Sequence, residues 1–452
     1  MNKSEVLQLL TDFVAIESVS TDASRKPAMQ EAADFLSQQL KEMGFTLSVQ
    51  SVHGSAPFVI GSFIQDKSAE TIGIYGHYDV QPEDPVEEWN SPPFKLTQKD
   101  GKLYGRGIAD DKGHIIQNLV ALRELIAEKK LKRNIVFFFE GEEESGNKNL
   151  EEILNSPQNT HLQNVDVWLV TDMGARGSGE PQIYNGLRGI VYFEMTVETG
   201  TKDAHSGVYG NRIYNPAQLL SELVTSMKDS TSGIVRIPHF YEDIIHPSPE
   251  EYTHLVAQAD TPKALLERSG AHILPLSWGP FPGFPADIPL SLTSKLLPSL
   301  DIHGISTGYV QEGVKTVIPR KAMMKFSCRT VPGQKAEKIA RLVQEHVKAH
   351  VPEGIQYELK VVESSEAFYT SVDNPWVREI VSKLEEVFSN PVRFSRSGGS
   401  IPIAEALQRH YSKPVILTGF TLPDDNLHAP NENYDELMLW KGIEVLKRIY
   451  GE

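Results

Sequence analysis

The stretch GHIIQNLVALRELIAEKKLKRNIVFFFEGEEESG, residues 113–146, joins two patterns of opposite period. Its first half spaces apolar residues as an amphipathic helix does. Its second half is an unbroken apolar run, Ile135 to Phe139, short and rich in aromatic residues. Such a run reads as a strand buried on both faces, the mark of a parallel sheet covered by helices. Four carboxylates, Glu140, Glu142, Glu143 and Glu144, follow at the strand's end. A run of acids is ordinarily a solvated face, so its attachment to a buried strand calls for a chemical reason.

The flanking chain repeats the alternation. Residues 1–45 read as two helices, VLQLLTDFV and AADFLSQQLKEMGF, the second closing on Gly44. The strands TLSVQSV, PFVIGSFI and TIGIYGHYDV come next, and VDVWLVTD (165–172) lies beyond the opening stretch. The expectation is an α/β fold, a mostly parallel central sheet flanked by helices. From Gly186 the pattern changes to long alternating strands such as GIVYFEMTVET with a helix at NPAQLLSELVTSMK, an α+β signature. A Pro- and Gly-rich stretch inside this region, WGPFPGFPADIP (278–289), reads as a surface loop. The α/β character returns with the helix PWVREIVSKLEEVF and the strand PVILTGF. These shifts predict a catalytic domain at 1–186 and 369–452, interrupted by an inserted α+β domain at 187–368.

Composition narrows the function classes. A chain of 452 residues favours roughly two to three domains. It is 40% hydrophobic and 23% charged, as soluble globular proteins are, and no apolar segment is long enough for a membrane helix. The first residues carry acids within the apolar periodicity and read as a helix rather than a signal peptide. Against 44 basic residues stand 60 acidic ones, a formal charge of −16, and no basic stripe breaks it, which argues against a nucleic-acid partner. The single cysteine, Cys328, excludes an internal disulfide and a thiolate metal site and suits a reducing, cytoplasmic compartment.

Metal-capable side chains gather at strand ends: GHYDVQP (76–82), GRGIADDKG (105–113), EGEEESG (140–146) and VTDMG (170–174), with DDNLHAPNE (424–432) far downstream. Open α/β sheets bind ligands at the carboxyl ends of their strands, where separate segments converge. His77 stands out because Asp79, two residues on, can hold the far ring nitrogen of a metal-bound imidazole. His53, His161, His246 and His410 lack such company and read as structural. Asp111, and less so Asp110, also suit the N-cap of the helix that follows. Two histidines and three carboxylates are the ligands that a pair of zinc-like ions needs, and a neighbouring glutamate left free serves as base.

Together GHYDVQP, GRGIADDKG, EGEEESG, TDMG, DAHSGVYG and HAPNE resemble the dinuclear zinc exopeptidases, the family of aminoacylases, acetylornithine deacetylases and carboxypeptidase G. Within it the chain looks most like cytosolic non-specific dipeptidases and carnosinases. The resemblance implies His77, Asp110, Glu144, Asp172 and His428 as metal ligands, with Asp110 bridging and followed by a cis peptide. It implies Glu143 as general base and Asp79 as the partner of His77. The same resemblance makes the inserted domain a lid and dimerisation domain. His205 and Thr316 match residues that dimeric relatives supply across subunits, His205 to stabilise the oxyanion. Arg329 and Ser400 match groups that hold the substrate carboxylate, a task for which the guanidinium fork is suited; an inter-strand ion pair is the plain alternative for Arg329, and a tight turn for the glycines beside Ser400. Where the relatives read REGGSIP, this chain has RSGGSIP, which bears on substrate preference more than on catalysis. The implied activity is hydrolysis of small peptides, dipeptides above all, by a homodimer carrying two divalent ions per subunit, zinc foremost and manganese as alternative. N-acyl-amino-acid deacylation is the rival within the class, and a non-catalytic metal- or peptide-binding module the rival outside it. Glu140 and Glu142 are left with solvation or support.

Overall fold

The computed structural model describes residues 1–275, 278–399 and 401–452. They divide into two compact units, one of residues 1–185, 370–395 and 402–452, the other of residues 186–369 and 396–401.

The first unit is built on a mixed sheet. Strands Asn134–Glu140, Thr71–His77, Val167–Val170 and Val415–Thr418 are neighbours in that order and run parallel. Antiparallel strands Phe58–Phe63 and Thr46–Gln50 extend it on one side, and residues Ile183 and Tyr184 pair with its other side. The parallel strands are buried along their whole lengths, as the run IVFFF requires. Parallel pairing also sends their carboxyl ends the same way, so the segments after His77, Glu140 and Val170 emerge together.

Helices cover this sheet. Helix Lys26–Glu42 stops where Gly44 takes φ +88°, with the amides of Gly44 and Phe45 returning to Lys41 and Leu40 at 3.0 and 3.1 Å. Helix Lys112–Ala127, amphipathic in sequence, is instead buried nearly all round from Lys112 to Leu122. It packs on strand Thr71–His77 and against helices Lys3–Val14 and Glu436–Gly451. Its polar side chains are therefore satisfied internally: Gln117 donates to the carbonyl of Leu439 at 2.9 Å, and Lys112 to those of Phe13 and Ile16 at 3.0 and 2.6 Å.

The second unit is α+β. Strands Ser299–Thr307, Lys321–Thr330, Gly189–Glu198 and Gln356–Ser365 form an antiparallel sheet in that order. Helices Pro216–Met227 and Ala336–His350 share a core with it through Phe193, Met195, Leu220, Phe326, Cys328 and Val343. Residues 278–289 carry no helix or strand, although Phe281 is buried. Segment 396–401 groups with this unit and not with its sequence neighbours; within it the Arg396 guanidinium pairs with Glu251 of helix Pro249–Ala257, and Arg188 donates to the carbonyls of Gly398 and Gly399 at 3.3 and 3.2 Å.

Candidate metal centre

Within the first unit, strand ends and one downstream loop bring together two groups of donors. His77, Asp110 and Asp172 form one; Asp110, Glu144 and His428 form the other, with candidate ligand atoms in each group within 4.8 Å of one another. Asp110 belongs to both. Its Oδ1 lies 3.0 Å from His77 Nε2 and its Oδ2 lies 2.8 Å from His428 Nε2. Asp172 Oδ2 and Glu144 Oε1 complete the groups, each 3.4 Å from its histidine. The peptide from Asp110 to Asp111 is cis.

The electrostatics describe a site rich in negative charge. Burial opposes the His77 imidazolium, yet Asp172, Asp110 and Asp79 hold its pKa well above the ordinary value. His428 is held at about 10 by Asp110 and Glu144. Burial and the charge of Asp111 push Asp172 up to about 7. Burial also raises Asp110, but hydrogen bonds from His428 and His77 outweigh it and keep that carboxyl below its usual range. Glu144 Oε1 is buried without a hydrogen-bond partner among the described residues, while its Oε2 accepts from Gln81 at 2.6 Å. Two imidazoles, an excess of carboxylates and an under-donated buried oxygen are a donor set that fits divalent cations.

Supporting contacts fix these groups. His77 Nδ1 donates to the backbone carbonyl of Asp79 at 3.1 Å, with the Asp79 carboxylate 3.4 Å away. That carboxylate has a further task absent from the sequence argument: it accepts the amides of Glu143 and Glu144 at 3.3 and 3.0 Å. One residue thus steadies a histidine and the glutamate turn.

Asp111 stands at the N-cap position of helix Lys112–Ala127 but makes no capping bond. Its carboxylate accepts the His77 amide at 3.3 Å and lies 2.9 Å from His114 Nδ1, so the capping reading gives way to support of the site. Asp111, His114 and Asp172 also satisfy a metal-donor geometry. His114, however, is spent: Nδ1 faces Asp111 and Nε2 accepts the Phe420 amide at 3.1 Å, and burial lowers its pKa to about 4. A neutral imidazole bonded at both nitrogens is a brace for Asp111. Gly76 is required beside it, since a Cβ there would meet Ile115 Cγ1 at 2.8 Å and Asp111 Oδ2 at 3.0 Å.

The four acids of EGEEESG part company. Glu140 is fully buried and not solvated; Tyr75 and Asn147 each donate to its Oε1 at 2.8 Å, and burial pushes its pKa to about 8. Glu142 accepts from Asn149 at 2.8 Å. Each glutamate therefore clasps an asparagine seven residues on, closing the turn that carries the other two. The Glu143 carboxyl has no hydrogen-bond partner among the described residues; burial first, against the charge of His77 and together with those of Asp172, Glu144 and Asp110, raises it to about 8.

In the second unit, His205 and Thr316 are brought side by side. His205 pairs with Val317 across a two-stranded ladder, and the Ser206 amide donates to the Thr316 carbonyl at 3.1 Å. The exposed His205 accepts the Gly207 amide at Nδ1, 3.0 Å, which places the neutral ring's proton on Nε2. Arg329 sits on strand Lys321–Thr330 opposite Ile190 and Ser299 and forms no ion pair among the described residues, so the inter-strand ion-pair reading does not apply. Ser400 lies outside the described residues. Ser397 Oγ accepts the Gly399 amide at 3.1 Å and so steadies the glycine turn.

Two histidine–carboxylate groups that share one aspartate, gathered beside the carboxyl ends of the parallel strands, make a candidate metal centre of an α/β protein. Residues 73–452 match Peptidase family M20/M25/M40. The chain is 31% identical to the Cys-Gly metallodipeptidase dug1 of Schizosaccharomyces pombe, over 98% of this chain and 94% of that protein. It is 29% identical to the human Beta-Ala-His dipeptidase over 99% and 89% of the two. The solved di-peptidase Dug1p of Saccharomyces cerevisiae superposes with TM-score 0.73 at 28% identity, covering 99% of this chain and 95% of that one. An M20 family metallo-carboxypeptidase from Sulfolobus solfataricus gives TM-score 0.80 at 25% identity, covering 100% and 99%. The chain belongs to peptidase family M20/M25/M40.

Proposed function

We propose that this chain is a dipeptidase that hydrolyses small peptides with a free C-terminal carboxylate at a pair of divalent ions. The observation that carries the reading is Asp110, whose two oxygens face His77 and His428 at 3.0 and 2.8 Å and so suit a bridge. His77, Asp172 and Asp110 would hold one ion; His428, Glu144 and Asp110 the other. Zinc fits this donor set first and manganese second. Such ions, when bound, make a water acidic and polarise a carbonyl.

The chain's own residues do the rest. Glu143, fixed by its amide on Asp79 and free at its carboxyl, accepts the attacking water's proton and passes it to the leaving amine. Burial and neighbouring acids raise Glu143; divalent charge beside it acts the other way. Arg329, without an ion pair among the described residues, and Ser400 receive the substrate carboxylate. His205, with Nδ1 taken by the Gly207 amide and Nε2 left to donate, supplies a proton donor to the oxyanion of a partner subunit's site, with Thr316 beside it. A homodimer is supported by the exposed Val208, Tyr209, Ile213 and Tyr214 close to His205 in the chain. The lone buried cysteine suits a cytoplasmic home.

The test is Glu143→Gln, with divalent-ion content and turnover measured on a panel of dipeptides and N-acyl amino acids. Retained ions with turnover lower by about 10²–10⁴-fold is the expected result. Full activity in the variant would end the assignment of the base, and turnover of acylated amino acids alone would replace dipeptidase by deacylase.

A further inference from the structure

Glu432 ends the HAPNE segment, in which only the histidine has so far been given a task. Its side chain is buried at the meeting of two loops. Oε2 accepts from Arg106 Nη1 at 2.7 Å and from the Gly107 amide at 3.0 Å. Oε1 accepts the amides of Ala109 and Asp110 at 2.9 and 3.2 Å. The Glu432 carbonyl accepts the Gly105 amide at 3.1 Å, so residues 105–110 are gathered around this one residue. Each carboxylate oxygen of Glu432 thus accepts two donors. Backbone amides converging on an anion form a rigid concavity.

Two consequences meet at Asp110. Its own amide is one of the four donors, so Glu432 helps set the backbone from which the Asp110 carboxylate projects. Four residues before Glu432 lies His428, held in a tight loop with φ +61° and with its Nε2 2.8 Å from Asp110 Oδ2. Arg106 adds a brace outside the loop, donating to the Pro82 carbonyl at 3.0 Å and lying over the Trp89 ring at 5.3 Å.

We propose that Glu432 is a positioning residue of the metal centre: its clasp on residues 106–110 fixes Asp110 against His428 and thereby sets the affinity for the ion those two share. This rests on the reading that Asp110 and His428 hold an ion. Glu432 makes no contact with substrate; it acts through Asp110.

The experiment compares wild type, Glu432→Gln and Arg106→Met as full-length chains, titrating the metal-free proteins with zinc alone against a competing chelator and recording their melting without metal. Glu432→Gln turns an amide NH2 toward backbone donors, and one of the zinc equivalents should bind about 10- to 100-fold more weakly. Saturating zinc should then restore kcat at an unchanged KM. Arg106→Met keeps the three amide contacts and carries the test should Glu432→Gln fail to fold; a smaller weakening of the same equivalent is expected. Lower melting temperatures with zinc affinity unchanged in the variants would make the clasp merely structural and overturn the inference. A wild-type chain that bound no zinc would overturn the reading of the centre itself.

Discussion

The buried ion pair of the second unit gives a stability prediction that follows from named contacts. Arg396 donates from Nε to Glu251 Oε1 at 2.6 Å and from Nη2 to Oε2 at 3.1 Å, and its Nη1 reaches the Ile245 carbonyl at 3.0 Å. Side-chain exposure is 1% and 0% for the two partners, and the guanidinium lies 5.0 Å over the Tyr369 ring. Replacing Glu251 by Gln leaves the cation in place, still dry, with one acceptor oxygen at residue 251 where there were two and no opposite charge. Breaking one side of a buried pair costs about 3–5 kcal/mol, and the amide's remaining acceptor puts this variant near the lower figure, about 3 kcal/mol. For a unit of this size that lowers the unfolding midpoint by about 6–12 °C.

Scanning calorimetry reads the loss, and hydrogen exchange at residues 245–251 and 396–399 localises it. The double variant Glu251→Leu with Arg396→Met, which has no charge to desolvate, should recover most of it. A midpoint moved by less than about 1 °C in Glu251→Gln would show that water reaches the pair and refute the reasoning. Equal instability of the single and double variants would also refute it, since shape and not charge would then be what the site requires.

Two further outcomes concern histidines of the same unit. In randomly mixed dimers of His205→Ala and Glu143→Gln chains, each heterodimer would hold one site with both groups intact, so about a quarter of wild-type activity should return; no recovery would count against donation across subunits. His346 bonds Ser226 through Nε2 at 2.9 Å and stacks on His350 at 4.0 Å; burial first, then the neighbouring ring, lowers its pKa to about 4. Its native pKa lies below its unfolded one, so its contribution is full above about 6.5 and is lost as pH falls from there toward about 4. Urea midpoints of wild type and His346→Gln should therefore converge over that interval, and a constant gap between them would contradict the sign.

How much could be read beforehand depends on how local the determining physics is. The parallel strands were legible because burial on both faces leaves an unbroken apolar run, and the strand ends because parallel pairing sends them one way. Helices Pro249–Ala257 and Pro262–Ser269 were missed although each opens on a hydroxyl cap followed by proline, Ser248 and Thr261, a signal present in the sequence. The grouping of residues 396–401 with the second unit had no such signal, since it involves contacts between positions far apart in the chain, Arg396 with Glu251 and Arg188 with the carbonyls of Gly398 and Gly399. Nor did local preference decide Asp111, which occupies an N-cap position yet gives its carboxylate to His77 and His114.

The acidic run shows the same division at the scale of single atoms. Glu140 and Glu142 found asparagines seven residues on, and a chain that folds back within so few residues decides such pairings by its turn, which spacing alone does not disclose. Glu144 keeps one oxygen on Gln81 and leaves the other bare toward His428, while Glu143 has only its amide tied down. Buried acids ordinarily collect donors. The run therefore sorts itself by neighbour: Glu140, whose Oε2 is also bare, and Glu142 hold the turn through asparagines, while Glu144 and Glu143 lie beside the histidines, where a cation and a travelling proton would complete them.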